Sequence, residues 1–260
     1  MKVHVFVRHT SHSHGKFRPD WFSSEDCFRN LLSTCGGDKD KSLDKDNSLD
    51  ELTVVFDGDP TDHFVSKYPV KIVTFEGGTD AKSFINLLDY VLKQDIPDDD
   101  IVYLVEDDYI HRPNSLNVLK EVFQNSNVAY VSLYDHMDKY HPGYFNTYAN
   151  GFPTQLFCTS TCHWKTTPST TNSYAMRFST LKRDKDIHYK YCNFGNVVQD
   201  HRKFLDLWST GKSLVTPIPG YSTHVENGLL SPTIDWIKVL KETIDINERG
   251  ISEDTHPSEA

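Results

Sequence analysis

Five short apolar runs punctuate the first half of the chain, and the segments between them limit the folds open to it. The runs are Lys2 to Arg8, Leu52 to Phe56, Val70 to Phe75, Ile101 to Val105 and Val128 to Tyr134. Each is strand-sized and has little polar alternation, the pattern of strands buried on both faces. Amphipathic segments separate them. Phe84, Leu87, Leu88, Val91 and Leu92 recur at helical spacing between about Asp80 and Lys93. Ser24 to Leu32 reads as a helix capped by Ser23 or Ser24, and Asn114 to Gln124 as another. This rhythm predicts an α/β fold with a mostly parallel central sheet and helices on both faces. Such sheets bind ligands at the carboxyl ends of their strands.

The second half is less regular. Gln155 to Thr166 reads as a strand, and Ser169 to Leu181, Val198 to Trp208 and Thr233 to Lys241 as helices. Pro217 to His224 reads as a loop, as does the polar stretch Gly36 to Asp50. Without a repeat or linker, residues 1–241 are expected to form one domain and residues 242–260 a polar tail. The longest apolar runs are strand-sized and the N-terminus has no signal-peptide architecture. A soluble cytoplasmic protein with no membrane span is the expectation. A formal charge of −10 argues against a protein that coats nucleic acid, but leaves room for a nucleotide ligand. Cys158, Cys162 and His163 lack an obvious fourth zinc ligand and read as ordinary thiols beside a histidine.

The chemistry concentrates where the fourth run ends, at Glu106-Asp107-Asp108. Three adjacent carboxylates repel one another unless a cation or a cationic partner is present. Residues two apart on a strand point the same way, so Glu106 and Asp108 would share a side. Paired oxygen ligands suit a hard divalent cation that also bridges a diphosphate. An acidic turn before a helix is the plainer alternative. Asp57-Gly58-Asp59 is a rival Asp-x-Asp, with a turn-forming Pro60 behind it; Asp57 is assigned a contact to base or ribose. Arg8 and Thr10 leave the first strand where a nucleotide would lie. Lys165, Arg177, Arg183 and Arg202 are further candidates to neutralise a diphosphate. Trp164 either stacks on a sugar or fills the core. Gly15, Lys16 and Arg18 make only a weak phosphate loop after the first strand.

With Val-Tyr-Leu-Val-Glu-Asp-Asp-Tyr at 102–109 on the fourth strand, the element order resembles the GT-A fold of family 2-like glycosyltransferases. Tyr109 to Pro113, Tyr134-Asp135-His136, Thr161 to Thr171 and Pro217 to His224 are similar to a bacterial and phage-type branch. They are also similar to glycosyltransferase domains encoded by large algal viruses, whose location would be the host cytoplasm. The resemblance implies a nucleotide-diphosphate sugar donor, a UDP-sugar foremost, and a glycan or other hydroxyl acceptor. It implies Mn²⁺ or Mg²⁺ held by Glu106, Asp108 and a late histidine, His224, with Asp107 beside the donor. It also implies a general base, Asp200, in a pattern where Gln199 replaces the usual Glu, and hence inversion at the anomeric carbon. Glu106 stands where the family has Asp.

Overall fold

The computed structural model describes residues 1–11, 15–35, 52–140 and 151–244; the stretch Gly36 to Asp50, part of the 135–152 region and the tail lie outside them. The strands are β1 (Val3–Thr10), β2 (Leu52–Asp57), β3 (Lys71–Phe75), β4 (Ile101–Glu106), β5 (Tyr109–His111) and β6 (Tyr130–Val131). They continue with β7 (Leu156–Cys158), β8 (His163–Thr166), β9 (Tyr174–Arg177), β10 (Leu214–Ile218) and β11 (Ser222–His224). The helices are α1 (Ser24–Cys35), α2 (Asp80–Leu92), α3 (Ser115–Asn125), α4 (Phe178–Lys190), α5 (Asp200–Ser209) and α6 (Trp236–Thr243).

Nine strands form one sheet in the order β3-β2-β1-β4-β9-β6-β10-β8-β7. β1, β2, β3 and β4 are parallel, as are β6 and β10, whereas β9 runs against both β4 and β6. Alternation along β1 explains the layering. Val3, Val5 and Val7 pack with Phe28 and Leu31 of α1 and Leu119 and Val122 of α3. Phe6 points the other way, with Val55 and Leu104, onto Phe84 of α2, Leu181 of α4 and Phe204 of α5. The sheet is therefore covered on both faces, as the sequence predicts, and its first four strands have a Rossmann-like order.

A third apolar cluster sits at one end. Ile110 and Val225 pack with Cys27 of α1 and with Trp236 and Leu240 of α6. It backs a second, two-stranded sheet in which β5 runs antiparallel to β11, pairing His224 with Tyr109.

Three sequence expectations change. Residues 169–181 are not one helix: Tyr174-Ala175-Met176 insert as β9 between β4 and β6, and α4 starts only at Phe178. A short apolar run is ambiguous by periodicity, and a place in the middle of the sheet decides it. Residues 155–166 fold as a β7–β8 hairpin, not a single strand. The stretch 217–224 is not a loop, since it holds the end of β10 and all of β11. Pro217 is tolerated because β6 partners β10 only at Leu214 and Val215. Trp164 is fully buried, its indole donating to Thr159 Oγ1 at 3.1 Å, so it belongs to the core.

Candidate active site at the strand ends

A cavity of about 380 Å³ opens where β1, β2 and β4 end. The residues singled out on the sequence, Arg8, Thr10, Asp57, Glu106, Asp107, Asp108, Asp200 and His224, all line it. Lys16, His9, the start of α2 and Thr171-Asn172 complete the wall.

Each strand-end acid has a partner within the chain. Arg8 and Glu106 are register neighbours on β1 and β4, and Arg8 Nη2 donates to Glu106 Oε1 at 2.7 Å. Arg8 Nη1 donates to the backbone oxygen of Asp80 at 2.9 Å and to its carboxylate. Asp80 Oδ2 in turn accepts from Val198 N at 2.8 Å, tying the approach to α5 onto α2. Asp107 Oδ2 lies 3.1 Å from His9 Nδ1. Burial alone would raise the Asp107 carboxyl, but His9 holds it below the ordinary range.

Asp57 is a clasp in this structure. Its Oδ1 accepts from Gly77 N at 2.7 Å and from Gly78 N at 3.3 Å, closing the turn before α2. Thr10 Oγ1 donates to the Asp57 carbonyl at 3.4 Å. A Cβ at Gly77 would stand 2.5 Å from Asp57 Oδ2. Gly77→Ala is therefore expected to break the clasp and cost about 1–3 kcal/mol through overpacking, measured as a fall in urea midpoint. An unchanged midpoint would contradict the close approach.

Asp108 lies beyond β4, in the turn into β5. The β5–β11 pairing brings His224 to it, with Nε2 3.0 Å from Asp108 Oδ2 and the imidazole stacked on Tyr109 at 5.4 Å. Lys16 Nζ and Arg18 Nη2 each donate to the same Oδ2 at 2.6 Å. Asp108 is only 2% exposed, and its Oδ1 is buried without a hydrogen-bond partner. Burial would push this carboxyl up, but His224, Lys16 and Arg18 hold it well below its usual value.

This corner does not fit the three-ligand metal site that the resemblance implies. Asp108 and His224 are a suitable oxygen–nitrogen pair for Mn²⁺. Glu106, however, is engaged by Arg8, and among the described residues no three His, Cys, Asp or Glu side chains are grouped to hold an ion. Two cations already crowd the Asp108 oxygen.

Asp200 opens α5 and is half-buried in the cavity wall. Its Oδ1 accepts from His201 N at 2.6 Å. Helix N-termini normally favour a carboxylate, yet burial pushes Asp200 up to about 6, against the lowering effect of Lys203. Lys203 is itself buried, donating to Asn172 Oδ1 at 2.7 Å, with its ammonium 4.7 Å from the centres of the Phe84 and Tyr174 rings. Burial brings Lys203 down to about 8, although Asp200 opposes it. Lys203→Met, which keeps the stem and removes the charge, should carry the Asp200 pKa further above 6. The acid limb of a pH–rate profile would then move to higher pH; an unmoved limb would show that Asp200 does not set it.

The other cations considered on the sequence are elsewhere: Lys165 pairs with Asp135, Arg183 with Asp184, Arg177 donates to Phe123 O, and Arg202 is not in the wall. Cys158 and Cys162 are free thiols on the β7–β8 hairpin. Sequence reasoning undervalued Lys16 and Arg18, because one glycine beside two cations is a poor loop signal. It read Asp80 only as a helix start, and nothing in the spacing points to Lys203.

No protein-family model matches the chain, and no curated protein matches its sequence. Among solved structures, a nucleotidyl transferase from Methanothermobacter thermautotroptrophicus is similar at 12% identity and a TM-score of 0.42, over 83% of this chain and 86% of that one. Residues 1–349 of S. aureus TarS are similar at 17% identity and a TM-score of 0.43, over 83% of this chain and 58% of that one. The 4-diphosphocytidyl-2C-methyl-D-erythritol synthase of Anaerococcus prevotii is similar at 12% identity and a TM-score of 0.46, over 93% and 95%.

Proposed function

We propose that the chain is a glycosyltransferase, moving a sugar from a nucleotide diphosphate to an acceptor hydroxyl with inversion at the anomeric carbon. The observation that carries this reading is one cavity lined both by Asp200, a desolvated carboxylate, and by the cation-bearing corner around Asp108. A base with a pKa of about 6 is mostly ionised at neutral pH and still accepts a proton readily. Asp200 takes the proton of the acceptor hydroxyl as its oxygen bonds to the anomeric carbon. The bond from that carbon to the phosphate oxygen breaks, and the nucleoside diphosphate leaves with the electron pair. Its charge is met at the Asp108 corner, while the nucleoside lies over the ends of β1 and β2, beside Thr10, Asp57 and Asp107.

One observation favours a second reading, sugar-phosphate nucleotidyl transfer. Lys16 and Arg18 reach the site from the segment after β1, where such an enzyme would keep its phosphate loop. Product analysis separates the two. The protein would be incubated with UDP-, GDP- and dTDP-sugars, and separately with nucleoside triphosphates and sugar phosphates, and followed by phosphorus NMR. Release of a nucleoside diphosphate is the expected result, and pyrophosphate would select the second reading. Sugar binding with neither product would leave a non-catalytic carbohydrate-binding domain.

A further inference from the structure

We infer that the chain carries its own substitute for a divalent cation: Lys16, pinned with Arg18 to Asp108, receives the donor diphosphate, and donor binding needs no metal ion. This rests on the donor-site reading above and concerns the same corner. Three adjacent carboxylates at a strand exit call for counter-charge. Here two of them obtain it from the chain: Glu106 from Arg8 at 2.7 Å, and Asp108 from Lys16 and Arg18 at 2.6 Å. The two acids named as oxygen ligands, Glu106 and Asp108, are thus engaged by side-chain cations.

The cation pair is also built into the fold. Arg18 Nη1 donates to Val225 O, and the Arg18 carbonyl accepts from Asn227 Nδ2 at 3.0 Å. Asn227 N donates to Phe17 O at 2.9 Å, and the Phe22 ring lies 4.4 Å from the Arg18 guanidinium. The turn that follows β11 thus holds segment 16–18 against the turn that carries Asp108, whose carbonyl accepts from Val225 N at 2.9 Å.

Charge gives the corner its polarity. Lys16 and Arg18 bring two positive charges to the one Asp108 carboxylate. Lys16, with a third of its side chain exposed, lines the cavity and presents its ammonium to a ligand. An anion with several phosphate oxygens fits the corner, whereas a dication would have to expel both side chains.

The test is calorimetric titration with UDP, GDP and dTDP, in EDTA and in MnCl₂, on the parent and on Lys16→Met/Arg18→Met. The inference expects one of the nucleotides to bind the parent with the same affinity in both buffers. It expects the double variant to bind at least about tenfold more weakly in EDTA. Binding that appears only with Mn²⁺ would overturn the inference and keep the donor-site reading. So would full-strength binding by a folded double variant, checked by circular dichroism. If no nucleotide binds in either buffer, the donor-site reading falls and takes the inference with it. The parent titrations decide the metal question even if the double variant fails to fold.

Discussion

Asp200→Asn is expected to lower turnover about 100- to 10,000-fold, the range for removing a general base, while raising the melting temperature. The two effects have one origin. Asp200 is half-buried against the cavity and its pKa is raised from 3.8 to about 6, so the folded protein holds its proton more tightly than the unfolded chain does. For a carboxyl shifted in this direction, stability falls as pH rises through the interval from about 4 to about 6. Above it the full cost is present, about 3 kcal/mol at pH 7. Asparagine has nearly the same shape and no charge to desolvate, so the cost is absent. Thermal melts at pH 7.5 and pH 4.5 check this, with the variant's advantage shrinking at the lower pH. Nucleoside diphosphate affinity should not change. A variant that is inactive but no more stable at neutral pH would mean that the carboxylate is not desolvated.

Asp108→Ala has the opposite profile. It removes the acceptor on which Lys16, Arg18 and His224 converge, leaving like charges together. Breaking a fully buried pair costs about 3–5 kcal/mol, and partial exposure of Lys16 and Arg18 brings the expectation to about 3 kcal/mol. Nucleoside diphosphate binding should be lost as well, because the cation pair no longer has a fixed position. The pH dependence also differs in sign. Asp108 is held well below 3.8, so its stabilisation is present above that value and lost as pH falls through the folded-state pKa. Asp108→Ala should thus lose both stability and nucleotide binding, whereas Asp200→Asn keeps binding and gains stability. Equal loss of binding in both would contradict the division of roles between the two acids.

The parallel half of the sheet was legible because its signals are local. Ile101 to Val105 is a continuous apolar run and Val3 to Val7 is broken only by His4, which leaves a strand little choice, and α2 shows its buried stripe at helical spacing. The strands read wrongly or missed depend on distant partners. β9 is a strand because β4 and β6 lie on either side of it, and β11 exists because β5 pairs with it. The site divides in the same way. Acids at strand exits can be found from sequence, since a buried run fixes where the strand ends. Their partners cannot: Lys16 is 92 residues from Asp108 and His224 is 116. The triplet alone also does not show that Glu106 and Asp108 have cationic partners, Arg8 and Lys16, from other parts of the chain.

A crystal structure of the protein with a bound nucleoside diphosphate tests the central claim most directly. The account predicts the phosphates within hydrogen-bond reach of Lys16 at the Asp108 corner, the nucleoside over the ends of β1 and β2, and Asp200 in the same cavity. A nucleotide bound elsewhere on the molecule, with Lys16 and Arg18 still closed on Asp108 and no phosphate beside them, would contradict it.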